Sequence, residues 1–125
     1  MSASNQKSFG VQLPRVDAQI FDIEHFERQT FGDANLQREI LQLFMAQIED
    51  TRKALTTPMT ATSWRFLTHT LKGAAASVGA IRLADIAGEW ELQGTPKDGE
   101  ARAAIMELFT VEAARLEAVA VAFQR

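Results

Sequence analysis

The sequence contains no cysteine among its 125 residues. Disulfides, thiolate zinc sites and cysteine nucleophiles are therefore excluded, and the chain fits a reducing compartment without requiring one. Histidine is nearly as scarce, with only His25 and His69 present. Asp22-x-x-His25 superficially has the form of a carboxylate and histidine metal pair, but helical di-metal sites need two such pairs and further inward-facing glutamates. His25 is accordingly assigned to the surface, with no metal expected there. No apolar run reaches the roughly 18 residues of a membrane span, and the polar stretch from Met1 to Gly10 lacks the apolar segment of a secretory signal. The expectation is a cytoplasmic protein without membrane contact. Thirteen Lys and Arg against sixteen Asp and Glu give a net charge of −3, which argues against a nucleic-acid partner, since neutralising phosphates is basic work. No Gly-Lys-Ser/Thr ending follows Gly73 or Gly79, so a nucleotide phosphate loop is unsupported. Internal repeats and low-complexity tracts are also absent.

What is present is the composition of a single globular domain, 46% hydrophobic and 23% charged. Residues 1–16, rich in Ser, Gln and Asn with Pro14 near their end, read as a flexible arm, and residues 17–125 as the folded unit. Ile20, Ile23 and Phe26, continued by Phe31, recur at helical spacing and predict a short helix stopped by Gly32. Asp33 can cap a long amphipathic helix from Ala34 to about Thr56, with Leu36, Ile40, Leu43, Phe44, Ile48 and Leu55 as its stripe. Thr57 and Pro58 break it. Three further helices are predicted over about 62–78, 81–93 and 100–123, joined by a tight reversal at Gly79-Ala80 and by turn residues between Gly94 and Gly99. Such brief connections place neighbouring helices antiparallel. The expected fold is therefore all-α: an antiparallel four-helix bundle with a short additional N-terminal helix. Trp64 and Trp90 are expected to pack between the third and fourth helices.

The third helix carries the informative face. At about 100° per residue, Trp64, Leu67, Leu71, Ala74, Ala75 and Val78 fall within about 60° of the pole opposite His69. That apolar stripe must be buried, so His69 faces solvent beside Thr62, Arg65, Lys72, Gly73 and Ala76. Lys72 lies one turn further along the same face, where its ammonium can reach an anion attached to the imidazole. Gly73 costs about 1 kcal/mol relative to alanine inside a helix. The open space that it leaves would let another macromolecule approach the ring. Arg65 has two readings, contact with an incoming anion or partner and plain solvation. Phe66 likewise has two, an exposed docking anchor and burial against the first helix. Ala76 adds a small, flat surface at the other end of the patch.

The stretch His69-Thr70-Leu71-Lys72-Gly73-Ala74-Ala75-Ala76-Ser77-Val78-Gly79-Ala80 resembles the signature of histidine-containing phosphotransfer (HPt) domains, in which His-x-Leu-Lys-Gly is followed by small residues and a glycine ten positions after the histidine. The resemblance continues through Leu83 to Trp90-Glu91, where the family usually has an apolar residue followed by glutamate. It spans roughly Asp22 to Phe123, and is strong over residues 64–91.

The resemblance implies a phosphoryl carrier. His69 would accept the group from an aspartyl phosphate of one receiver domain and pass it to an aspartate of another, in a phosphorelay linking hybrid histidine kinases to response regulators. In the family the distal ring nitrogen takes the phosphoryl group, and a carboxylate or amide on the neighbouring helix holds the other nitrogen. Glu91 matches that position. Lys72 would offset phosphate charge, while Arg65, Phe66, Gly73 and Ala76 would form the docking patch for the receiver. Any Mg²⁺ would belong to the receiver, so the domain would need no cofactor of its own, and with no ATP site the chain would have no kinase activity of its own. A monomer is the default expectation. Two other readings stand beside this one: a non-catalytic bundle that binds a signalling partner through the same patch, and an acid/base enzyme using His69 and Glu91, for which the sequence offers no substrate motif.

Overall fold

The computed structural model describes residues 19–124, so the arm expected over residues 1–16 lies outside the described residues. Five helices follow in order: α1 Ile23–Gln29, α2 Ala34–Ala54, α3 Ala61–Val78, α4 Ile81–Gln93 and α5 Gly99–Phe123. No strand occurs among the described residues, and the fold is the all-α bundle with a short helix in front. Each of four helices starts on a side-chain cap that satisfies otherwise unpaired backbone donors. Asp22 accepts from His25 N, Asp33 from Asn35 and Leu36 N, Thr60 from Ser63 N, and Asp98 from Ala101 N.

Helix directions follow from which ends meet. Trp64, near the start of α3, packs on Trp90, near the end of α4, with ring centroids 6.4 Å apart, and a two-residue link joins the other ends. The pair is antiparallel. Leu41 and Met45 of early α2 share a groove with Ala120 and Val121 of late α5, while Arg52 of late α2 lies over the Phe109 ring of α5. That pair is antiparallel as well. Phe21, Phe26 and Phe123 close one end of the core through edge and tilted ring contacts.

The short first helix differs from its sequence expectation. Gln19 and Ile20 are helical, Phe21 and Asp22 are not, and α1 begins only after the Asp22 cap. Phe26 is buried as predicted, but Ile23 and Phe31 are exposed, and Phe31 adopts a left-handed conformation (φ 54°) at the turn after the helix. On α2, Leu43 is exposed, while Leu41 and Thr51 are buried. Thr51 is accommodated because its hydroxyl donates to the Gln47 carbonyl at 2.9 Å, and Thr68 on α3 does the same to Trp64.

His25 is half-buried rather than a free surface residue. Its Nε2 lies 3.0 Å from the Ser77 carbonyl, so the ring nitrogen donates to one of the carbonyls left open at the end of α3. Beside it, Asp22 N donates to the Gly79 carbonyl at 2.8 Å. Gly79 has φ 92°, and a Cβ there would stand 2.9 Å from the Asp22 oxygen. Only glycine fits both the left-handed turn and that close approach. Together these contacts pin α1 across the end of the helix that carries His69.

Candidate functional site

His69 stands on the outer face of α3, ten residues before the Gly79 cap that ends the helix, with its side chain 73% exposed. The inner face places Trp64, Thr68, Leu71, Ala75 and Val78 in the core, with Leu67 and Ala74 half-buried. Burying that stripe turns the imidazole outward.

Glu91 approaches from α4. Its position is set by Trp90, which is buried in the core and whose main-chain oxygen accepts from Trp64 Nε1 at 3.0 Å. The next residue along the helix therefore rises at the α3 and α4 seam, only 22% exposed, with Oε2 3.1 Å from His69 Nδ1. An ionised carboxylate can only accept, so Nδ1 carries the hydrogen and donates it. In the neutral ring the lone pair then resides on Nε2, on the solvent side. Oε1 of the same carboxylate lies 3.9 Å from Lys72 Nζ, whose side chain is 52% exposed. One carboxylate thus fixes the ring tautomer and holds a cation next to it.

The remaining patch residues fall on the same outer surface. Arg65, Gly73 and Ala76 are exposed, and nothing lies within 4 Å of the position that a Cβ on Gly73 would occupy. Phe66 is 74% exposed, which rules out its burial against the first helix. Exposed Leu92 follows Glu91 on α4. Sequence reading did not single it out, since a lone leucine at a helix end carries no signal of its own.

Chemically, the arrangement offers, in the neutral ring, one accessible nitrogen lone pair with a cation close by. Among the described residues, no three His, Asp or Glu side chains converge as a group that could hold a metal ion. No described helix is long and apolar enough to cross a membrane.

The model of the Hpt domain family matches residues 38–122. The chain belongs to that family, whose role is histidine phosphotransfer in two-component signalling and whose members interact with receiver domains. No curated protein and no solved structure gives a match.

Proposed function

We propose that this domain relays a phosphoryl group between receiver-domain aspartates through His69. The reading is carried by one observation, the solvent-facing imidazole whose Nδ1 is held 3.1 Å from Glu91 Oε2. The Nε2 lone pair attacks phosphorus of an aspartyl phosphate on the donor receiver. The N–P bond forms as the acyl O–P bond breaks, and the bonding pair leaves on the aspartate carboxylate. No proton must be removed from Nε2, so no general base is required. Positive charge developing on the ring is met by Glu91 across the Nδ1–H bond, as carboxylate partners do at other histidine sites. Lys72 faces the charge of the phosphoryl oxygens. Transfer onward is the same step in reverse, with an aspartate of the second receiver as nucleophile.

Phe66, Gly73 and Ala76 give the receiver a surface with one aromatic anchor and two small residues, and Arg65 adds a cation at its edge. The domain acts as a carrier, with the receivers supplying Mg²⁺ and the acidic residues around their own aspartates. It works as a monomer in the cytoplasm, between a hybrid kinase and a response regulator.

The test mixes the protein with a receiver domain carrying radiolabelled aspartyl phosphate. Acid-labile label is expected on the chain, and none on His69→Gln. Equal labelling of the His69→Gln variant would reject the assignment, and full biological function of that variant without label would favour a non-catalytic adaptor.

A further inference from the structure

We infer that Gly88 is a positioning residue for Lys72: the side chain missing at position 88 leaves the trough in which the lysine stem lies, and so delivers the ammonium to Glu91 and to the phosphoryl group. The inference rests on the reading of His69 as the phosphoryl acceptor.

Glycine is, after proline, the poorest helix former, and Gly88 lies in the middle of α4. Backbone geometry does not call for it. Unlike Gly79 and Gly94, it is not among the glycines with positive φ. Close packing of α4 on a neighbouring helix backbone does not call for it either. A Cβ built at position 88 would have only two heavy atoms within 4 Å, Lys72 Cδ at 3.6 Å and Lys72 Cε at 3.8 Å. The one thing that glycine accommodates is the lysine stem.

The stem crosses from α3 to α4 over this gap, and its ammonium stops 3.9 Å from Glu91 Oε1. Position 88 therefore sets where the stem lies, and Glu91, one turn further along the same helix, sets where the head rests. A half-exposed lysine left to itself samples many rotamers. Lying against α4, it keeps its charge beside the ring before any phosphoryl group arrives.

The contact distances separate two kinds of substitution. At 3.6–3.8 Å a Cβ makes ordinary van der Waals contact with the stem, so Gly88→Ala leaves Lys72 in place. Gly88→Val adds two Cγ methyls at a χ1 that is nearly fixed in helices, and crowds the stem out of the gap. Valine is a better helix former than glycine, so the bundle itself is not put at risk.

The test uses phosphoramidate, a small P–N donor that needs no docking surface. Nε2 attacks phosphorus, the new N–P bond forms, the donor P–N bond breaks, and the leaving amide nitrogen departs as ammonia with a proton from water. Rates of phosphohistidine formation are compared for the parent, Gly88→Ala, Gly88→Val, Lys72→Ala and the Lys72→Ala, Gly88→Val double variant, with far-ultraviolet circular dichroism confirming the helical fold. Gly88→Ala is expected within about twofold of the parent and Gly88→Val slower by about three- to tenfold, the size of one half-exposed charge contact. In the Lys72→Ala background the valine should change nothing further. A valine effect that persists without Lys72 would assign it to general structure and overturn the inference, as would parental rates in Gly88→Val. Uptake that survives His69→Gln, or no uptake by the parent, would instead overturn the reading of His69 and this inference with it.

Discussion

The indole N–H of Trp64 donates to the main-chain oxygen of Trp90 at 3.0 Å, one residue before the carboxylate that holds His69. The bond and the tilted contact of the two indoles fix how far α3 is shifted along α4, and with it the separation of His69 and Glu91. Trp64→Phe removes the donor and part of a buried ring. A loss of about 1–3 kcal/mol is expected by urea unfolding, together with slower phosphoryl uptake at low denaturant, where the fold is intact.

Glu91 acts on the ring through one oxygen. Glu91→Ala frees Nδ1 and both tautomers, and should lower the rate of uptake from a phosphorylated receiver by about tenfold, the lower end for lost partners of functional histidines. Glu91→Gln still offers an amide oxygen to Nδ1–H but no charge to Lys72, so its rate should fall between alanine and the parent. Stopped-flow or gel-based transfer kinetics on the three proteins check the order.

Two glycines ten residues or less from His69 should respond in opposite directions. Gly79 has φ 92° and the Asp22 oxygen 2.9 Å from its would-be Cβ, so Gly79→Ala should destabilise the domain by about 2 kcal/mol. Gly73 has open space around it, and Gly73→Ala should stabilise by about 0.5–1 kcal/mol. Paired denaturant titrations read both. A bulky residue at 73 should leave stability intact while slowing transfer from a receiver, with uptake from phosphoramidate unchanged.

Glu112 is 4% exposed and receives Arg82 Nε at 3.0 Å and Arg115 NH1 at 3.3 Å on the same oxygen. Both arginines reach water, so removing the carboxylate strands no buried cation, but it does remove the Arg82 ion pair that ties α4 to α5 and the Arg115 hydrogen bond within α5. Glu112→Ala should cost about 2 kcal/mol. Arg115→Ala, which leaves the Arg82 contact, should cost less; chemical denaturation distinguishes them.

The helices were legible because their punctuation is chemical: Asp33 as a cap, Gly79-Ala80 as a tight reversal, Pro58 as a breaker and the turn residues between Gly94 and Gly99. His69 was legible as an outward residue because a helical stripe leaves only one side for it. Buried threonines were not, since Thr51 and Thr68 look polar until each hydroxyl is paired with the carbonyl one turn back. Leu43 sits on the outer side of α2 and could not be told from its neighbour Phe44 by hydrophobicity. Tertiary pairings were hidden for a simpler reason. His25 meets the Ser77 carbonyl 52 residues away, and Arg82 meets Glu112 across two helices. Glu91 entered through the family resemblance, and Gly88 only once the register of α3 on α4 was known.

The most direct measurement identifies the ring nitrogen that carries phosphorus. With ¹⁵N-labelled histidine, the one-bond nitrogen–phosphorus coupling of the phosphorylated protein assigns it. Phosphorus on Nε2 of His69, with Nδ1 still protonated toward Glu91, is the predicted result. Phosphorus on Nδ1, on His25 or on no histidine would contradict the account.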